Sequence, residues 1–186
     1  MRFIETRIPG TFVVELEARS DARGFFARSW CRDEFRAAGL DADLAQCNIS
    51  YNAARGTLRG MHYQAAPHGE AKLVRCTAGA IHDVVVDLRP DSPTYLGRAF
   101  FELSGETQAT LYIPAGCAHG FQALSDTADT SYRIDRPHDP AEDVTIAFDD
   151  PGLAVPWPLP VTVTSERDRK APGLAEVLRT LEVRTP

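Results

Sequence analysis

Five histidines, His62, His68, His82, His119 and His138, are the first residues to test for chemistry. A metal-binding β-barrel usually offers a His-x-His pair with a nearby Glu, and a later His. Here the first slot reads His62-Tyr63-Gln64, with a single imidazole, and the later one reads Pro114-Ala115-Gly116-Cys117-Ala118-His119. Two imidazoles alone make a poor transition-metal site, so no metal is expected. The four cysteines, Cys31, Cys47, Cys76 and Cys117, are spaced by 16, 29 and 41 residues and form no CxxC pair. Zinc ribbons and dithiol redox motifs are therefore not offered, and reduced, mostly buried thiols are expected. No GxGxxG opens a helix, and GxxxxGK[ST] and GxSxG are absent, so nicotinamide sites, P-loops and the nucleophile elbow lack their signatures. Asn48-Ile49-Ser50 matches the glycosylation sequon, which carries no meaning without a secretion signal.

Whatever chemistry these side chains do must be positioned by short strands. The chain has 186 residues, 44% of them hydrophobic, which suits one domain with a packed core and excludes disorder and collagen-like repeats. Twenty basic residues against 26 acidic ones give a net charge of −6, which argues against a general nucleic-acid binder. An anionic small molecule would require basic side chains to converge locally. No apolar run reaches the length of a membrane span and Met1–Glu5 has no signal-peptide core, so the cytoplasm is the expected compartment and no membrane contact is expected. Strand-like patterns cover Thr11–Leu16, Lys72–Cys76, Ile81–Leu88, Ala99–Leu103, Thr110–Ile113 and Val144–Phe148, with turn residues between them. Many short strands without intervening helices predict an all-β sandwich or barrel. Only Arg32–Ala38, closed by Gly39, and Leu174–Leu181 read as helices. Three prolines in Val155–Pro160 predict a stiff connector carrying the tail back across the barrel.

Several stretches, in this order and spacing, are similar to the dTDP-4-dehydrorhamnose 3,5-epimerase family. They are Asp21-Ala22-Arg23-Gly24-Phe25-Phe26, Gln46–Ser50, Gly56–Gln64, Lys72–Arg75, Asp83–Arg89, Ser92-Pro93-Thr94, Ile113–Phe121, Tyr132, Asp149-Asp150-Pro151 and Ser165–Asp168. The resemblance implies a cupin-type double-stranded β-helix, a jelly-roll barrel with a few short helices, one of them near the C-terminus. It divides a single domain over 1–186 into N-terminal strands and a short helix (1–50), barrel core (51–150), and connector and tail (151–186). It also implies metal-free catalysis without a cofactor, and a homodimer whose N-terminal segments help build the sites.

Epimerisation next to a ketone makes independent chemical sense of these residues. A proton must leave one face of the carbon and another must return to the opposite face, so a base and an acid are needed on opposite sides of the ring. A cationic or hydrogen-bonding group must hold the enolate oxygen. By resemblance His62 is the base, Asp168 the carboxylate that orients it, and Tyr132 the acid. Lys72 could hold the enolate oxygen, and His119 matches a further site residue. Arg23, Gln46, Asn48 and Arg59 match residues that hold the nucleotide diphosphate and base. The plainer alternatives are a structural His62, a surface Asp168 in a charged run, a packed Tyr132, an exposed strand Lys72 and a core His119. Strict alternation would put Arg59 and His62 on opposite faces, so a bulge near Gly60 or an edge position for Arg59 is required.

The pattern has departures. Arg28 and Cys47 stand where the family usually has acidic residues, Asp143 lies near a family Glu, and Arg167 replaces a lysine. His138 stands where a second tyrosine packs by the bound nucleotide sugar; the alternative is a solvated loop residue that touches nothing. The expected activity is epimerisation of a dTDP-4-keto-6-deoxyhexose at C3 and C5. A single-centre epimerase, or a silent sugar-nucleotide binding cupin, is the alternative; a 3,4-ketoisomerase or a metal-dependent dioxygenase fits less well.

Overall fold

The structure, a computed structural model, describes residues 1–41 and 43–184, with side chains of the last helix through Leu181. Ala42 in the N-terminal segment and Thr185 and Pro186 in the tail lie outside the described residues. Two antiparallel sheets face each other. One has the order β1 (Arg2–Glu5), β2 (Phe12–Glu15), β10 (Thr110–Ile113), β7 (Lys72–Ala78), β12 (Ala128–Ile134), β5 (Gln46–Asn52). The other has the order β13 (Asp143–Thr145), β6 (Leu58–Gln64), β11 (Cys117–Ala123), β8 (Ala80–Asp87), β9 (Arg98–Ser104). A separate hairpin, β3 (Arg19–Asp21) with β4 (Gly24–Phe26), stands off the barrel.

Alternation places the core. Val74, Cys76, Val85, Leu111, Ile113 and Phe121 meet between the sheets. The outer faces are covered as well, which is why β8 reads as a continuous apolar run. Met61, Val84, Val86 and Ile146 pack outward against Leu174 and Val177 of α3 (Leu174–Arg184). Across the molecule, Val14, Leu73 and Tyr112 pack against Phe35 of α1 (Arg32–Ala37). Burying a side chain of this size is worth about 1.5–3 kcal/mol. Helix α1 ends where Gly39 adopts φ +74° and donates to the Arg36 carbonyl, the left-handed stop that glycine tolerates. Cys76 and Cys117 are buried, and burial pushes their thiols up to about 11 and about 12. Cys47 is exposed and Cys31 half-buried, so the expectation of mostly buried thiols holds for only one pair.

The connector forms no strand. Its Leu159 exchanges both backbone hydrogen bonds with the Gln122 side chain, and Val163 then bridges in parallel to Thr57. The tail thereby returns to β6, just before the one-turn helix α2 (Glu166–Arg169). Strand β13 is shorter than Val144–Phe148, because Ala147 already donates to Pro172 of the returning tail.

One carboxylate fixes the loop from β8 to β9. Buried Asp87 accepts from Arg89 Nε at 2.8 Å, Arg89 Nη2 at 2.9 Å, Ser92 Oγ at 2.5 Å and Thr94 Oγ1 at 2.7 Å. Burial alone would raise its pKa, but the Arg89 guanidinium and the two hydroxyls outweigh that and hold it at about 2. The folded pKa lies below the unfolded one, so this stabilisation is complete above about pH 4 and vanishes as pH falls through about 2. It amounts to ~2–3 kcal/mol at neutral pH. Urea midpoints of wild type and Asp87→Asn should therefore converge on acidification; a gap that stays constant with pH would remove the carboxylate from the account.

Candidate active site

A cavity of about 340 Å³ is lined by both sheets. Arg59 and His62 of β6, His119 of β11 and Asp143 of β13 face it from one sheet; Asn48 of β5, Lys72 of β7 and Tyr132 of β12 face it from the other. Arg59 and His62 share this cavity because β6 is bulged. His119 pairs with His62 and Phe121 with Arg59, so two residues, Gly60 and Met61, oppose the single Gly120. Gly60 has φ +134°, and a Cβ there would lie 2.5 Å from Gly120 Cα, so only glycine fits. Met61 is turned outward into the core beneath α3.

His62 Nε2 lies 2.7 Å from Asp168 Oδ1. Asp168 is the buried residue of α2, only 3% exposed, and its backbone N–H donates to the capping Ser165 Oγ at 3.0 Å. Gly60 N–H approaches the second carboxylate oxygen at 3.4 Å. Burial would raise the Asp168 pKa, but the hydrogen bond and charge of His62, with Gly60 and Ser165, bring it below the ordinary carboxylate value. An ionised Asp168 can only accept, so Nε2 carries the hydrogen between them and Nδ1 is the ring nitrogen left to act as a base. Asp168 does not line the cavity; it stands behind the imidazole.

Tyr132 comes from the opposite sheet and packs against His119 and Phe121, with ring centroids 6.1 and 6.4 Å away. Burial pushes its phenol well above the ordinary value, the Asp83 carboxylate adds to this and Arg59 opposes it. The hydroxyl therefore stays protonated at neutral pH, as a proton donor must. His119 makes a second histidine–carboxylate pair, its Nε2 being 2.9 Å from Asp83 Oδ2 with both groups buried. Lys72 Nζ lies 3.2 Å from Glu70 Oε1 at the cavity wall.

Not every expected residue reaches the cavity. Arg23 is at the turn of the β3–β4 hairpin, 89% of its side chain exposed, and bonded to Asp21. Gln46 is outside the cavity too; its Oε1 accepts from His138 N–H at 2.9 Å and so anchors the rim. His138 is neither loose nor solvated on all sides. Its Nδ1 is 3.1 Å from Gln64 Nε2, its Nε2 is 3.7 Å from Asp143 Oδ2, and it lines the cavity. Asp143 is also gripped by Arg167 Nη1 at 2.6 Å. Arg59 is steadied by Asn52 Oδ1 at 2.9 Å.

Sequence reasoning passed over Asp83, Glu70 and Arg167 as site residues. The first two were visible in principle: Glu70 precedes Lys72 by two, one side of an extended chain, and Asp83 is a lone charge in an apolar run. Among the described residues no group of three or more His, Cys, Asp or Glu side chains could hold a metal ion.

The family model described as dTDP-4-dehydrorhamnose 3,5-epimerase matches residues 5–176. The dTDP-4-dehydrorhamnose 3,5-epimerase of Sinorhizobium fredii is 42% identical over 158 residues, 84% of this chain and 81% of the relative. The dTDP-4-dehydrorhamnose 3-epimerase of Streptomyces niveus is 40% identical over 177 residues, covering 95% and 85%. Among solved structures, the Legionella pneumophila 3,5-epimerase in complex with dTDP-4-keto-L-rhamnose superposes with a TM-score of 0.90 at 36% identity, covering 97% of this chain and 96% of that one. With a two-sheet cupin-type barrel and matches over most of its length, the chain belongs to the dTDP-4-dehydrorhamnose 3,5-epimerase family of isomerases.

Proposed function

We propose that this protein epimerises a dTDP-4-keto-6-deoxyhexose at C3 and C5 by proton transfer. The observation that carries the reading is the placement of His62, backed by Asp168, and Tyr132 on opposite walls of one cavity. With the sugar between them, Nδ1 of His62 removes the proton next to the ketone. The Tyr132 hydroxyl returns one to the other face. Lys72 and His119 stand on the same cavity and can hold the enolate oxygen while it bears charge. Arg59, Asn48 and Arg167 offer the local donors that a diphosphate needs on an acidic chain.

The same reading makes the protein a cytoplasmic homodimer. Phe25 and Phe26 on the hairpin are 55% and 77% exposed, and Ile49 and Tyr51 on edge strand β5 are 58% or more exposed. Such apolar surface at a sheet edge calls for cover, and a second copy bringing Arg23 to its partner's cavity supplies it. No helix of the described residues is long and apolar enough to cross a membrane.

The test is incubation with dTDP-4-keto-6-deoxyglucose in deuterated water, followed by proton NMR. Deuterium entering C3 and C5 with inversion at both supports the reading; inversion at C3 alone would favour the single-centre alternative, the activity in the Streptomyces niveus relative's name.

At the rim, His138 offers less stacking area than tyrosine, so His138→Tyr should tighten inhibition by dTDP by about a factor of several. Inhibition constants for dTDP and UDP in both proteins check this, and identical constants would detach His138 from nucleotide binding.

A further inference from the structure

Thr145 and His62 are direct cross-strand partners on β13 and β6. Two consecutive residues of α2 grip this pair from behind. Asp168 holds His62 at 2.7 Å, and Arg167 Nε donates to Thr145 Oγ1 at 2.6 Å. The Arg167 fork spends its Nη1 on Asp143, two residues before Thr145 on the same face of β13. Arg167 meets the two partners from two separate nitrogens held in one rigid plane, whereas a lysine would have to serve both from a single nitrogen. Helix α2 is a single turn, and one turn has no stability of its own because nucleation costs more than it returns. Its orientation must come from what it touches: the Ser165 cap at one end, the Arg167 fork on one flank and the dyad on the other.

We propose that Thr145 and Ser165 are positioning residues for the base. The Thr145–Arg167 and Ser165–Asp168 bonds hold α2 so that the Asp168 carboxylate meets Nε2 of His62 and leaves Nδ1 free. Neither Thr145 nor Ser165 lines the sugar cavity, so neither acts by touching substrate. Thr145 is 8% exposed, and its hydroxyl is answered by Arg167. The inference rests on the reading of His62 as base and Asp168 as its partner. A displacement of about 1 Å in such a constellation can cost up to ~10²-fold in rate.

The test uses Thr145→Val and Ser165→Ala, with Thr145→Ser and Ser165→Asp as conservative controls that keep a hydroxyl or a capping oxygen. Each full-length protein is assayed for kcat, KM, substrate deuterium uptake and melting temperature, and for the low-field imidazole N–H resonance of the dyad. Thr145→Val and Ser165→Ala should lower kcat and deuterium uptake about tenfold or more, with KM changed less than about twofold. The dyad resonance should broaden or disappear, and both controls should recover rate and resonance. Wild-type uptake with an intact resonance in Thr145→Val and Ser165→Ala would overturn the inference. So would a raised KM at unchanged kcat. If Thr145→Val does not fold, Ser165→Ala and Ser165→Asp decide between these outcomes. His62→Ala and Asp168→Asn are measured alongside. If they too leave uptake intact, the base reading itself fails; if they abolish it while the positioning variants do not, only this inference falls.

Discussion

Alanine at position 62 should abolish deuterium uptake at both C3 and C5, because every inversion begins with the proton that His62 removes. A positioned base contributes about 10²–10⁴ in rate, so turnover should fall by at least that range. Two other candidates on the cavity wall are engaged elsewhere. Lys72 is paired with Glu70, and the His119 imidazole points its Nε2 at buried Asp83. The substitution also leaves the buried Asp168 carboxylate without its imidazole partner, which by itself destabilises the protein. His62→Gln is the companion variant, since its amide can still donate to Asp168 but cannot accept a proton at neutral pH. Both variants should be inactive, with His62→Gln melting closer to wild type. Wild-type uptake in either would assign the base elsewhere.

The second large effect separates exchange from inversion. Tyr132→Phe removes one oxygen and keeps the ring that packs on His119 and Phe121, so the fold should persist. His62 can still remove the proton and return one to the same face. Deuterium should therefore enter the substrate with its stereochemistry retained, while inversion falls by about 10²–10⁴. Following uptake and stereochemistry in one NMR time course measures both. Inversion at the wild-type rate in Tyr132→Phe would mean that solvent or another group protonates the far face, and that the Tyr132 ring serves packing alone.

Parts of this architecture could be read from the chain before any coordinates. Strands β2, β7, β8, β9 and β10 announce themselves by alternation or by an apolar run between turns. Strand β11 does not, because all seven of its residues are buried and Ala, His, Gly and Gln break the apolar pattern. Strand β5 is an exposed edge, so no buried face imprints a period on it. Helix α2 is four charged residues with no hydrophobic stripe; its one legible sign was Ser165 three places before Asp168, a capping spacing. The cavity residues on β6, β7, β11 and β12 were named from motif and order. Their meeting in space depends on which strands pair, and no local property of the chain encodes that. Arg23 and Gln46 show the limit. A motif match gives a residue's identity, whereas its place follows from a freestanding hairpin in one case and a rim hydrogen bond in the other.

The bulge at Gly60 also acts as a parity bit. Downstream of it, His62 and Gln64 take the inner face only because one extra residue has been counted into the strand. Deleting Gly60 would leave the later side chains intact in identity and reverse the inside–outside assignment of the strand, exporting the imidazole to the α3 side and importing Met61. Insertion of a single residue there would do the same. The spacing from Arg59 to His62 is thus a fixed integer for this barrel: substitutions within it can be graded in energy, but a one-residue change in length is a switch between a chain that presents its base to the cavity and one that cannot.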